Sequence, residues 1–190
     1  MTLETMMLEL ASIWKPEVQQ QNYRAILEAM SRPGRIQNIT FSQSDSDAMT
    51  AILATLLDGE VSLSDPDKQI NTDDWPMLQA SNTEPDCADY IVCTGNSAPG
   101  FEPKQGTLSS PEYSATLLIQ VESLTSGSSR IRLQGPGIET SEEVSVSGLS
   151  EDWLTRREDW VYAFPLGVDM ILVAQDKILA LPRTTRLEVI

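Results

Sequence analysis

The C-terminal run Pro182-Arg183-Thr184-Thr185-Arg186 contains the residue types in this sequence that are best suited to bind an anion. A guanidinium offers a bidentate fork to a phosphate or a carboxylate, and neighbouring hydroxyls add further donors. Arg183, Thr184, Thr185 and Arg186 are therefore candidates for an anion pocket or for a surface that binds a protein partner. The alternative is an exposed strand end whose arginines form surface ion pairs, and such pairs contribute little.

Two glycine-containing turns are further candidates for the same kind of site. In Gly135-Pro136-Gly137, the glycines Gly135 and Gly137 allow φ > 0 and let backbone amides approach an anion, although a tight turn alone would explain them. The run does not match the dinucleotide-binding or P-loop patterns, so it does not indicate a nucleotide site. In the second turn, Arg32 and Arg35 flank Gly34, and the capping of a helix C-terminus alone would explain this pattern.

Asp169 stands at the start of the strongly apolar segment Val168 to Ala174. A carboxylate in such a place needs a partner, so we expect Asp169 to orient an arginine or a backbone amide. The sequence leaves open whether that role is structural or functional.

The composition excludes several kinds of active site. The 190 residues include no histidine, so the chain alone can form neither a Ser-His-Asp triad nor a histidine-ligated metal site. Its 28 acidic and 13 basic residues give a net charge of −15, which disfavours binding to nucleic acid or to an anionic membrane. We assign no catalytic residue, no cofactor-binding residue and no metal ligand.

The cellular location can be inferred from the two cysteines, Cys87 and Cys93, and from the N-terminal segment. The spacing of the cysteines fits neither a CxxC redox motif nor a four-ligand zinc site, which favours two reduced thiols. The N-terminus has no basic residue before Lys15, and no apolar run is long enough to cross a bilayer. We therefore expect a cytoplasmic protein.

The candidate residues are positioned by helices and strands that alternate in the N-terminal part of the chain, whereas strands cluster in the C-terminal part. Helices are predicted over 16–31, over 46–57 with Ser44, Asp45 or Ser46 as N-cap, and over 151–162. Strands are predicted at 61–63, 90–93, 116–121, 130–133 and 144–146, with a hairpin formed by 168–174 and 178–181. This order predicts one α/β domain over 1–190, with a mixed sheet, an antiparallel edge and a mobile or docking arm over 1–14.

Several short motifs, taken in order, resemble the PhnH family, a subunit of the bacterial carbon–phosphorus (C–P) lyase core complex. The first runs from Tyr23-Arg24 to Ala29-Met30-Ser31-Arg32-Pro33-Gly34, with Tyr23 in place of the usual Phe. The others are Leu56-Leu57-Asp58, Ser114 to Ile119, Arg132 to Ile138, Phe164 to Asp169 and Ala180 to Thr185. Residues 64–105 do not resemble the family clearly, so nothing is carried over to them.

The resemblance implies a fold like that of pyridoxal-phosphate-dependent transferases, a three-layer α/β/α sandwich, without the cofactor. It implies a homodimer that joins the G, I and J subunits in phosphonate catabolism. There it supports formation of alpha-D-ribose 1-methylphosphonate 5-triphosphate from ATP and methylphosphonate, so a phosphonate or ATP is the ligand expected within the complex. A structural or assembly role fits the missing histidine. The alternatives are a free-standing enzyme that acts on a phosphorylated small molecule and a phosphonate- or nucleotide-binding protein.

Overall fold

A computed structural model describes residues 11–42, 44 and 46–190, and within these residues it contains two β-sheets and four α-helices. The helices are α1 (Pro16–Ser31), α2 (Ala48–Leu56), α3 (Trp75–Leu78) and α4 (Glu151–Val161). The strands are β1 (Gln37–Asn38), β2 (Ser62–Ser64), β3 (Ser81–Asn82), β4 (Tyr90–Thr94), β5 (Thr116–Gln120), β6 (Ser129–Gln134), β7 (Glu142–Val146), β8 (Asp169–Ala174), β9 (Lys177–Leu181) and β10 (Arg186–Val189).

The main sheet has the strand order β1-β9-β8-β5-β4-β2-β3. Strands β3, β2, β4, β5 and β8 run parallel, whereas β9 and β1 are antiparallel to their neighbours. The predicted mixed sheet with an antiparallel edge is therefore confirmed. The central strands are buried on both faces, which explains why Thr116 to Gln120 reads as a nearly continuous apolar run.

Helices α1 and α2 cover one face of the main sheet. Helix α1 has Pro16 at its first position and Glu17 in its first turn, and it buries Ile26 and Ala29. Helix α2 begins at the N-cap Asp47, whose Oδ1 accepts a hydrogen bond from the backbone N–H of Thr50 at 2.7 Å. Alternate residues of the strands, including Leu118, Ile171 and Ile178, pack in the same apolar cluster as these helices.

The opposite face packs against α4 and a second, antiparallel sheet with the order β10-β6-β7. In β6, Ile131 and Leu133 point into this core, while Arg130 and Arg132 lie on the other side. Such alternation is typical of an antiparallel sheet with one solvated face. The sequence pattern predicts a single mixed sheet and no strand at the position of β10.

Two other expectations need comment. The N-cap predicted at Ser44, Asp45 or Ser46 was wrong, because Asp47 caps α2; Asp45 itself lies outside the described residues. Residues 1–10 of the predicted arm also lie outside the described residues. In the remainder of that stretch, Ser12–Trp14 form a 3-10 turn in which Ile13 is buried.

Candidate functional site

The three turns singled out in the sequence lie against one another. A Cβ atom at Gly137 would overlap the carbonyl oxygen of Ser31, and one at Gly135 would lie 2.8 Å from the carbonyl oxygen of Thr184. Gly34 is equally close to the strands, since a Cβ there would lie 2.8 Å from the Cβ of Glu142. All three glycines have positive φ, so both conformation and space favour glycine. The contact unites the end of α1, the β6–β7 turn and the β9–β10 turn in one surface.

Asp169 and Arg183 form a partly buried pair at one side of this surface. Oδ1 of Asp169 accepts from the backbone N–H of Arg183 at 2.7 Å, and Oδ2 accepts from its guanidinium at 2.6 Å. The same guanidinium donates to the carbonyl oxygen of Pro111 at 2.8 Å and to the hydroxyl of Ser114. The expectation that Asp169 orients an arginine or a backbone amide is confirmed. Most of the donors of Arg183 are therefore used inside the protein.

Arg157, which the sequence motifs do not indicate, holds the β9–β10 turn through hydrogen bonds to its backbone. Its side chain is fully buried, and Nη2 donates to the carbonyl oxygens of Pro182 and Thr185, at 2.6 and 2.9 Å. Burial lowers the pKa of Arg157 from its ordinary value, although an arginine stays charged at neutral pH. The sequence signal was weak, because Arg157 lies in a helix rich in charged residues that suggest exposure. Its spacing of four and three residues from Trp153 and Trp160 is the pattern that could have indicated burial.

Thr185 lies inside the turn, and Thr184 lies outside it. Thr185 is 2% exposed, its hydroxyl has no hydrogen-bond partner within the described residues, and its amide donates to the carbonyl oxygen of Pro182. Thr184 is exposed. The two hydroxyls therefore do not form one joint donor set, which argues against a phosphate cradle built from both.

The remaining arginines of the three turns are exposed. Arg32 forms an ion pair with Glu28 at 3.0 Å across one turn of α1. For Arg35 and Arg186, the described part of the chain provides no side-chain hydrogen bond or ion pair. These two guanidiniums are available to a partner, whereas Arg183 is not.

A groove of about 510 Å³ runs beside the β9–β10 turn. Pro136, Arg183, Thr184, Thr185 and Arg186 line one side, and Glu158 and the segment after α4 line the other. That segment provides Tyr162, which is 90% exposed, and Phe164, which is 65% exposed. Tyrosine and arginine are enriched among the residues that contribute most to binding at protein interfaces. We call this groove, together with the three turns, the turn surface.

The described residues offer little for acid–base or nucleophilic chemistry. Burial, with Asp67 and Asp65 adding to it, raises the pKa of the Cys93 thiol far above its usual range, so it stays protonated at neutral pH. A hydrogen bond to Asp86 raises the pKa of Cys87. Among residues 11–42, 44 and 46–190 there is no group of three or more acidic or cysteine side chains placed to hold a metal ion. In the same part of the chain, no helix has the length and hydrophobicity needed to cross a membrane.

Comparison with known proteins gives matches over almost the whole chain. A family model described as bacterial phosphonate metabolism protein (PhnH) matches residues 11–188. HtxG of Stutzerimonas stutzeri, named as a C-P lyase subunit protein, is 34% identical over 175 residues, which span 92% of this chain and 88% of that protein. The alpha-D-ribose 1-methylphosphonate 5-triphosphate synthase subunit PhnH of Rhizobium meliloti (strain 1021) is 29% identical over 180 residues, which span 89% of this chain and 90% of the relative.

Proposed function

This chain belongs to the PhnH family of bacterial phosphonate metabolism proteins, and on that basis we propose that it is a subunit of a carbon–phosphorus lyase complex. Within that complex it supports formation of alpha-D-ribose 1-methylphosphonate 5-triphosphate from ATP and methylphosphonate. The observation that carries the proposal is the similarity over nearly the full length of two relatives with names from this pathway.

The subunit has an assembly role in this proposal, and its partners supply the chemistry. The sequence has no histidine, and the Cys93 thiol stays protonated. Asp169 and Arg183, the charged candidates that meet at the start of the β9–β10 turn, are bound to each other. These features support a protein that positions other subunits.

The turn surface is the region through which the subunit contacts a partner. An anion pocket is the competing interpretation of the same residues, but it would need the guanidinium of Arg183 and the hydroxyl of Thr185 to be free. The first is occupied by Asp169, Ser114 and Pro111, and the second is buried. The exposed groups are Tyr162, Phe164 and Arg186, which suit a protein partner better.

The finer assignments are part of the same proposal, and the resemblance to the family supports them. The partners are a second copy of the chain and the G, I and J subunits, and the assembly lies in the cytoplasm, which the unpaired thiols of Cys87 and Cys93 support. The fold is a three-layer α/β/α sandwich related to pyridoxal-phosphate-dependent transferases, used here without the cofactor. The apolar clusters on both faces of the main sheet support three layers, of which one contains the second sheet beside α4.

Co-expression tests the proposal directly. The full chain, tagged and expressed with the G, I and J subunits of its own complex, should retain them through affinity and size-exclusion chromatography. Failure to retain any of them would overturn the assignment to this complex. The isolated chain, incubated with ATP and methylphosphonate, should release no adenine, and adenine release without partners would overturn the assembly role.

A further inference from the structure

The connections of the main sheet create a crevice between β2 and β4 at the carboxyl ends of the parallel strands. From β2 the chain passes to β3 on one side, and from β4 it passes to β5 on the other. Because the two connections leave in opposite directions, the strand ends between them stay uncovered. In open α/β sheets, ligands bind at this kind of topological switch point.

A cavity of about 370 Å³ occupies this position. Pro66 and Asp67 follow β2, Glu84 and Pro85 follow β3, and Ser97 to Phe101 follow β4. Cys93 of β4 and Trp153 of α4 complete the lining. The cavity therefore arises from the ends of three strands, and it is separate from the turn surface, with which it shares no lining residue. Its volume is within the range found for small-molecule sites.

The loop after β2 is held in place by its own aspartates. Oδ2 of Asp67 accepts from the backbone N–H of Thr94 at 2.7 Å and from its hydroxyl at 2.9 Å. The carboxylate of Asp65 accepts from the amides of Gln69 and Ile70, both at 2.8 Å. The bonds of Asp67 attach the loop to the end of β4, and those of Asp65 fix the loop's own turn, so the cavity is already formed without a ligand.

The charge of the lining identifies the class of ligand. Asp67 and Glu84 bring two carboxylates, and no lysine or arginine lines the cavity. Within the described residues, Oδ1 of Asp67 and the carboxylate of Glu84 accept no hydrogen bond, so both can accept one from a ligand. Asp67, together with Asp65, also contributes to the raised pKa of Cys93, after the larger effect of burial. An anion is disfavoured here, and a cation is favoured.

Most of the other lining residues are apolar. Pro66, Pro85, Pro99, Phe101 and Trp153 present ring carbons, and Phe101 and Trp153 pack edge to face with their centroids 6.4 Å apart. We propose that this strand-end crevice binds a small organic cation, an ammonium compound with an apolar body, whose charged end faces Asp67 and Glu84. A phosphate or phosphonate group would be excluded. The inference goes beyond the subunit role and does not depend on it.

Three probes that share a phenethyl body test the charge preference on the full chain. Phenethylammonium, 2-phenylethanol and 3-phenylpropionate differ mainly in the charge at one end. Ligand-observed NMR and isothermal titration should show saturable binding of phenethylammonium at millimolar concentrations, weaker binding of the alcohol and none of the carboxylate. Absence of phenethylammonium binding, or equal binding of all three, would overturn the proposal.

Variants locate the binding. Asp67→Asn combined with Glu84→Gln should weaken phenethylammonium binding by about fivefold, since each partly exposed charge contributes less than ~1 kcal/mol. Glu112→Gln combined with Glu139→Gln makes the same charge change at exposed positions outside the cavity and should leave Kd unchanged. Glu84→Gln alone avoids the bracing bonds of Asp67 and should still weaken binding about twofold. Equal effects of the two double variants would show a general charge effect and would contradict the site.

Discussion

Asp169 binds Arg183 twice, through the backbone N–H at 2.7 Å and through the guanidinium at 2.6 Å. The two residues stand beyond the last pair of the β8–β9 hairpin, Met170 with Leu181. Their contact therefore closes the open end of the hairpin and fixes the start of the β9–β10 turn. Because Arg183 also binds Pro111 and Ser114, the same pair attaches the turn to the segment before β5.

Separate removal of Asp169 and Arg183 should destabilise the fold. We expect Asp169→Asn and Arg183→Ala each to lower the free energy of unfolding by about 2 kcal/mol, because each leaves a partly buried charge or polar group without its partner. The double variant should cost little more than the larger single one, since both remove the same interaction. Urea denaturation monitored by circular dichroism measures all three.

Arg186→Ala changes an exposed position in the same turn and is the control. Its free energy of unfolding should stay within about 0.5 kcal/mol of the wild type. If the losses of the two single variants at Asp169 and Arg183 add fully in the double variant, the pairing is contradicted.

The aromatic side chains of the turn surface should matter for binding and not for folding. Tyr162→Ser and Phe164→Ser remove exposed rings, so Tm should change little. Capture of the other complex subunits should weaken by about tenfold or more, because buried aromatic anchors dominate interfaces. Pull-down titration with the co-expressed partners is the measurement. Leu108→Ser removes a 77% exposed apolar side chain outside the groove and should leave capture of the subunits intact. An equal loss of capture in that variant would show that the subunits bind exposed apolar surface nonspecifically.

The sequence predicted the elements better than their assembly. Local signals placed α1, β5 and the β8–β9 hairpin, since helix caps, apolar runs and turn residues act over a few positions. The second sheet was missed because strand pairing between β10 and β6 joins residues more than fifty positions apart, as in Leu187 with Leu133. The spacing of residue types along a sequence does not indicate which distant strands will pair.

The candidate site was also predicted only in part. Its members were identified from glycine and arginine motifs, and the structure brings the three turns together. Arg157 was not found, because a buried arginine and an exposed one look alike in a charged helix, and only the carbonyls of Pro182 and Thr185 distinguish them. The exposed Tyr162 was likewise assigned to the helix and not to the surface. Both depend on tertiary contacts.

Gly137 should be intolerant of substitution because the turns meet there. Its φ is +84°, and a Cβ would overlap the carbonyl oxygen of Ser31 at the end of α1. We expect Gly137→Ala to lower the free energy of unfolding by about 2–3 kcal/mol through strain and displacement of the turn. Gly59→Ala is the matched control, since a Cβ at Gly59 meets no atom within 4 Å. Thermal and urea denaturation measure the free energy of unfolding of both variants. A similar loss of stability in Gly137→Ala and Gly59→Ala would contradict close contact between the turns.

Asp89 should contribute stability that disappears in acid. Burial acts to raise the pKa of Asp89, but hydrogen bonds from Lys104 and Ser62 outweigh it, and the pKa lies below its ordinary value of 3.8. A carboxylate with a lowered pKa stabilises the fold above its ordinary pKa, and this contribution is lost as the pH falls through the folded-state value. The stability difference between wild type and Asp89→Asn should therefore be largest above about pH 5 and shrink below about pH 4. Urea denaturation at several pH values measures it, with Asp159→Asn as an exposed control; a difference that grows in acid would contradict the assignment.

The net charge of −15 should govern how fast the subunit finds its partners. Long-range attraction requires the partner surfaces to be relatively basic, and steering of this kind raises association rates more than it slows dissociation. Raising the salt concentration from about 50 to about 500 mM shortens the Debye length from roughly 14 to 4 Å and screens that attraction. We expect the association rate constant to fall by about tenfold over this range, with a much smaller change in dissociation. Stopped-flow or surface-binding kinetics with the purified partners measure both, and sucrose at matched osmolality controls for solvent effects. An association rate that is constant or rises with salt would show that the partners carry no complementary charge and that the acidic surface serves only to keep the chain dispersed.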